Sequence, residues 1–117
     1  METKDVVRQY FDALGRKQGW QSWLADELTF TSFASPVKKV AGKEPYLQSS
    51  QRFFSMVDGV EVRELIVDGA SACALTHYRL QTPDGRRFES DVAEILTIRR
   101  DRIDSLSIYF DTSPFPK

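Results

Sequence analysis

Within residues 3–14 the apolar positions are Val6, Val7, Tyr10, Phe11 and Leu14. They lie on one face of a 3.6-residue period, which predicts a helix with Thr3 as its cap and Gly15 or Gly19 as its stop. Residues 19–24 (GWQSWL) read as a short second helix with its indoles at i and i+3. LTFTSF, residues 28–33, alternates as a strand does, and residues 34–42, with a proline and two lysines, read as a loop. A third helix is predicted from about Pro45, a residue suited to a first turn. Its inner stripe is Tyr46, Leu47, Ser50, Phe53, Phe54 and Val57, and Gly59 ends it. From Val60 onward the pattern is strand throughout, over 60–68, 70–82, 86–99 and 103–111. The breaks are Asp68-Gly69, Pro83-Asp84-Gly85 and Arg100-Asp101-Arg102.

Helices come first, one strand interrupts them, and four strands then run as a meander. That order excludes repeated β-α-β units. It predicts an α+β fold in a single domain spanning residues 1–117. The expected architecture is a cone-shaped, curved antiparallel sheet wrapped over about three helices of the N-terminal half, enclosing a pocket.

In strand 86–99, Phe88, Ser90, Val92, Glu94, Leu96 and Ile98 share the apolar face, so Glu94 is a carboxylate aimed at the interior. Leu106, Ile108 and Phe110 form the matching stripe of the last strand, and a three-residue turn at Arg100-Asp101-Arg102 sets Glu94 opposite Ile108. The preceding hairpin has two possible registers. A two-residue Asp84-Gly85 turn sends Leu75, His77 and Arg79 inside, with His77 diagonal to Glu94. A three-residue Pro83-Asp84-Gly85 turn inverts every side chain and sends Tyr78 and Leu80 inside instead. Turn chemistry favours the first register, and the lower polarity of Ala74, Thr76, Tyr78 and Leu80 favours the second.

Charge removes some classes of function. With 16 basic and 17 acidic residues the net charge is −1, which supplies no general attraction for nucleic acid or an anionic membrane. The clusters Arg86-Arg87 and Arg99-Arg100-Asp101-Arg102 fall at turns and lack an accompanying aromatic stripe. One cysteine, Cys73, has no thiol partner, and no histidine cluster suggests a metal. There is no apolar run of membrane-spanning length, and METKDVVRQYFDAL does not read as a signal peptide. The expectation is a cytoplasmic protein without metal or organic cofactor.

VVRQYFDAL, LADELTFTSF, VAGKEPYLQSSQRFF and DVAEILTIRRDRIDSLSIYFD, in this order and spacing, resemble the nuclear transport factor 2-like superfamily. The likeness is to its SnoaL-like and ketosteroid isomerase-like members, and it covers essentially the whole chain. The terminal YFD is shared with limonene epoxide hydrolase-like members. Such folds host isomerases, hydrolases, cyclases, dehydratases and non-catalytic binders. The resemblance implies that Tyr10 and Glu94 occupy positions of groups that hydrogen-bond a developing enolate, with Glu94 held protonated by its apolar setting. Ser32 or Phe33 stands where the isomerases keep their aspartate base. The epoxide hydrolase comparison puts His77 and Ile108 at aspartate positions, Leu75 at an arginine position and Ser32 near the water, so it selects the register with His77 inside.

Two functions follow as expectations. The first is an enzyme moving protons on an apolar or polycyclic metabolite by isomerisation, cyclisation or dehydration. His77, Glu94 and Tyr10 are its catalytic candidates. Ser32, Phe30, Phe53, Phe54, Leu75, Arg79, Val92, Leu106, Ile108 and Phe110 line the substrate site. The second is a non-catalytic ligand-binding or protein-interaction module using the same pocket. The resemblance also implies a homodimer formed through the outer sheet face.

Overall fold

A computed structural model describes residues 1–34 and 36–115; Ser35, in the expected 34–42 loop, and residues 116–117, at the end of the expected domain, lie outside the described residues. The elements are helix α1 (Thr3–Arg16), a 3-10 turn (Trp20–Trp23), strands β1 (Leu24–Ser32) and β2 (Lys38–Ala41), helix α2 (Lys43–Met56), and strands β3 (Val57–Asp68), β4 (Ser71–Gln81), β5 (Arg87–Arg99) and β6 (Arg102–Phe110). Helix α1 forms as its periodicity requires, with Val6, Val7, Tyr10, Phe11, Ala13 and Leu14 buried along one face. Thr3 does not cap it. Its hydroxyl donates instead to the Gly69 carbonyl at 2.7 Å, tying the helix start to the β3–β4 turn.

The expected architecture needs correcting in three respects. The six strands form one sheet in the order β2-β1-β6-β5-β4-β3, and it is mixed, because β1 runs parallel to β6. Among the described residues there are two α-helices rather than about three, since the second expected helix is a single 3-10 turn. Nor does the sheet wrap into a closed cone. It is open, with β2 and β3 as its free edges. The fourth unforeseen feature is β2, hidden in the expected loop, which pairs Lys38 to Ala41 with Ser32 to Thr29. Four residues including Lys38 and Lys39 make a short, charged edge that stays in water and blunts further pairing. Such a strand has too little alternation to be visible in a sequence pattern.

Gly59 also lies elsewhere than expected. It sits in β3 rather than ending α2, directly opposite Arg79, whose guanidinium crosses the space a side chain at 59 would occupy.

The β4–β5 hairpin takes the three-residue loop. Thr82 N–H donates to the Arg86 carbonyl at 2.8 Å, Gly85 N–H donates to the Thr82 carbonyl at 2.9 Å, and Gly85 takes φ 89°. The Thr82 side chain reinforces the loop, with its hydroxyl on the Asp84 carboxylate and accepting the Arg86 N–H at 3.0 Å. Pairing is therefore Ala74 with Glu94, Thr76 with Val92, His77 with Asp91 and Tyr78 with Ser90. The two-residue register is overturned, and His77, Leu75 and Arg79 lie on the outer face.

The β5–β6 turn differs as well. Arg99 pairs with Arg102, leaving a two-residue turn in which Arg100 and Asp101 take φ 53° and 61°. One extra residue at Asp104, between the Ile98–Ile103 and Thr97–Ser105 pairs, then restores Glu94 opposite Ile108. Two consecutive left-handed residues suit Asn-Gly far better than Arg-Asp. Replacing them together (Arg100→Asn with Asp101→Gly) is expected to raise unfolding stability by about 1 kcal/mol, read as a higher denaturant midpoint at unchanged slope.

Candidate ligand-binding cavity

The two helices cover the inner sheet face differently. Helix α1 presents a fully buried stripe, whereas in α2 only Tyr46 is buried and Phe53 and Phe54 are half-buried. A cavity of about 340 Å³ remains between α2 and the sheet, within the range of small-molecule sites. Helix α2 contributes Tyr46, Ser49, Ser50, Phe53 and Phe54 to its wall. Phe30 and Ser32 come from β1, and Leu106, Ile108 and Phe110 from β6. Tyr78, Val92 and Glu94 form the base, while Pro36, Lys38 and Phe115 complete the rim.

Strand pairing sets these groups in rows. One row crosses five strands through Ala74, Glu94, Ile108, Ser32 and Lys38. Adjacent strands lie about 4.8 Å apart, so the Lys38 backbone is about 14 Å from that of Glu94. The carboxylate is thus central and buried, 3% exposed, while the lysine stands on the exposed edge. Ala74, the small neighbour of Glu94 on β4, leaves the carboxyl to be met by longer side chains from the next rungs.

Those side chains are Thr76 and Tyr78. The Thr76 hydroxyl donates to Glu94 Oε2 at 2.8 Å, and the Tyr78 hydroxyl donates to the same oxygen at 2.8 Å. Thr76 Oγ1 also lies 3.0 Å from the Val92 carbonyl oxygen, so its single proton is contested. Burial raises the Glu94 pKa to about 7; the Thr76 and Tyr78 hydrogen bonds pull it down but do not prevail. Tyr78 is pushed well above the ordinary tyrosine range by burial, then by Glu94, and Tyr10 by burial, then by Tyr46 and Glu94.

Of the residues nominated from the sequence, Glu94, Phe30, Ser32, Phe53, Phe54, Val92, Leu106, Ile108 and Phe110 meet at this cavity. Tyr10 is buried against Phe11 and the sheet and is not among the lining residues. His77 is elsewhere. On the outer face its Nδ1 lies 2.7 Å from Asp91 Oδ1 and its Nε2 2.5 Å from Glu89 Oε1. These bonds, that to Asp91 first, raise the His77 pKa. Leu75 and Arg79 share that face, so the expected His77–Glu94 pair does not exist. Thr76 and Tyr78, the actual partners of Glu94, were signalled only by the lower polarity of the 74, 76, 78, 80 stripe. Lys38, Pro36 and Phe115 come from segments with no periodic signal.

Among the described residues no group of three His, Cys, Asp or Glu side chains could hold a metal ion, and no helix is long and apolar enough to cross a membrane.

A carboxyl that is protonated in the fold but ionised in the unfolded chain couples stability to pH. Between the ordinary glutamate value of 4.5 and about 7, the folded state holds one more proton than the unfolded state. Stability is therefore fully present below about pH 4.5 and declines as pH rises toward 7, by roughly 3 kcal/mol from this group alone. Glu94→Gln should flatten that decline, so the variant gains on the parent protein between pH 5 and pH 8 in denaturant melts. Parallel melts at the two pH values would contradict the assignment.

The comparisons with known proteins agree with this architecture. A structure of a nuclear transport factor 2-like protein from Burkholderia thailandensis superposes with a TM-score of 0.80 at 16% identity, covering 97% of this chain and 94% of that one. A nuclear transport factor 2-like protein of unknown function from Burkholderia pseudomallei gives 0.79 at 18%, covering 95% and 92%. A protein with a ketosteroid isomerase-like fold from Catenulispora acidiphila, solved in complex with trimethylamine, gives 0.75 at 18%, covering 93% and 87%. At such identities the likeness is one of fold. No curated protein matches the chain significantly. The family model for the SnoaL-like domain matches residues 7–106, and with that span the chain belongs to the SnoaL-like domain family.

Proposed function

We propose that the chain, as one SnoaL-like domain, binds a small, largely apolar metabolite in the cavity beneath α2, with Glu94 as its polar anchor. The observation that carries this reading is a single buried carboxyl in a chamber walled mainly by aromatic and aliphatic side chains. Apolar walls supply the binding energy, and one fixed polar group supplies orientation. The geometry supports binding before catalysis. With His77 on the far side of the sheet, Glu94 alone titrates near neutrality inside the chamber. Isomerisation, cyclisation or dehydration there would rest on that one group, helped by hydroxyls that stay protonated.

A neutral fluorescent probe, N-phenyl-1-naphthylamine, tests the cavity directly. The protein is expected to bind it with a blue-shifted, enhanced emission. Ile108→Trp, which fills the chamber from β6, should weaken binding at least tenfold while circular dichroism stays unchanged. Equal binding by the parent and the filled variant would place the probe elsewhere and sink the reading.

The outer face supports a homodimer as part of this proposal. Ile66, Cys73 and Ile95 are paired in one row, and Leu75, Ala93 and Tyr109 in the next. Phe33 stacks on Tyr109 with ring centres 4.5 Å apart. Ile66, Ile95 and Tyr109 are 54%, 42% and 48% exposed, an apolar surface on the outer face of the sheet. A second copy of the same face would cover it. Sedimentation should show a dimer at micromolar concentration and a monomer for Ile95→Lys; a monomeric parent protein overturns this part.

A further inference from the structure

The cavity has a composition that a purely neutral ligand does not use. Most of its neighbouring rings are inclined to one another, while Phe53 and Phe115 stack at 29° with ring centres 6.4 Å apart. Phe30 and Tyr46 lie 4.7 Å apart at 46°, Phe53 and Tyr78 5.5 Å apart at 66°, and Phe110 stands at 60° to Phe115. Rings at such angles enclose a volume as walls do. Glu94 is the only carboxylate lining that volume among the described residues. Among the described residues no lysine, arginine or histidine forms an ion pair with it. The one cation in the lining among the described residues, Lys38, is exposed on the edge strand three strands away.

We propose that the ligand of this cavity is an amphiphilic ammonium, its alkylated cationic head held among Phe30, Tyr46, Phe53 and Tyr78 against Glu94 and its apolar body filling the chamber toward Ile108 and Phe110. The inference rests on the binding function proposed above and names its ligand class. Three features of the site favour it. Aromatic faces attract a weakly hydrated cation, most strongly in a desolvated site. A buried carboxylate without a counter-ion is costly, and a ligand cation supplies the missing charge. Thr76 and Tyr78 both hydrogen-bond Oε2, and these bonds pull the Glu94 pKa down against the effect of burial, which favours the charged form that an ammonium would meet.

The charge requirement has a pH signature. The groups facing Glu94 are Thr76 and Tyr78 from β4, Tyr10 from α1, Tyr46 from α2 and Ile108 from β6, with Lys38 at the distant edge. The tyrosines, all raised by burial, stay neutral from pH 6 to 8, so Glu94 is the group whose charge changes there. His77, Glu89 and Asp91 are on the opposite side of the sheet.

The test uses benzyltrimethylammonium and its uncharged isostere neopentylbenzene, titrated by NMR against the full chain. The cation is expected to bind at least tenfold more tightly at pH 8. Because only ionised Glu94 competes for it, that preference should fall about tenfold on going to pH 6. Glu94→Gln should abolish the preference while keeping the isostere's affinity. Should this variant fail to fold, the pH dependence in the parent protein decides alone. Equal affinity for the two probes at pH 8 overturns the ammonium assignment but leaves the cavity reading intact. Absence of binding by either probe overturns both.

Discussion

Strand side chains alternate between two faces, so the loop joining β4 to β5 decides which residues share a chamber with Glu94. Thr82 holds that loop at three residues by engaging both Asp84 and the Arg86 N–H. Thr76, Tyr78 and Leu80 consequently face inward with Ala74. The alternative register would bring Leu75, His77 and Arg79 into the same space and turn Tyr78 and Leu80 into water. Exposing a buried Leu or an aromatic ring forfeits about 2 kcal/mol each, and an arginine in an apolar chamber adds a desolvation penalty of several more. The packing and the turn therefore agree, and the preference of Asp-Gly for a two-residue loop loses to both.

The cavity follows from an imbalance between the two helices. Every apolar position of the α1 stripe is buried, so its half of the sheet is closed. In α2 the stripe is interrupted by Ser49 and Ser50, whose hydroxyls turn back to the Tyr46 carbonyl at 3.0 and 2.7 Å. These short side chains do not reach the sheet, while Phe53 and Phe54 on the following turn pack on each other and on Tyr78, Trp20 and Tyr46. A helix propped on large rings with serines between them leaves a void beneath it.

How far this was legible in the sequence depends on the range of the signal. Helix α1, helix α2 and strands β3 to β6 each carry a local period, and their existence and order could be read from it, as could the inward face of β5 with Glu94 upon it. The parallel contact between β1 and β6 is non-local; nothing in LTFTSF says which strand lies beside it. Strand β2 is four residues of mostly exposed edge and has no inward stripe to betray it. The sequence pattern sets Glu94 opposite Ile108 through a three-residue turn, whereas the chain arrives at the same pairing through a two-residue turn and a bulge at Asp104. His77 lies outside because the turn signal and the polarity of the stripe conflict at this hairpin, and the likeness to epoxide hydrolases points to the register that the chain does not take.

The outer and inner acids show why burial of a charge carries more functional information than its bonding. Glu89 and Asp91 bracket His77 with short hydrogen bonds, and Arg63 reaches Asp91 at 3.4 Å and Glu61 at 3.6 Å. That cluster has partners for every charge and its carboxylates stand in solvent, so its contribution is that of a surface network. Glu94 has hydrogen bonds but no counter-charge, and a leucine at that position would pack the chamber without the penalty of a buried acid. A fold that maintains such a group tolerates a stability loss that grows as pH rises toward 7. The loss is recovered whenever something entering the cavity either shares its proton or matches its charge, which couples ligand occupancy to the stability of the fold itself.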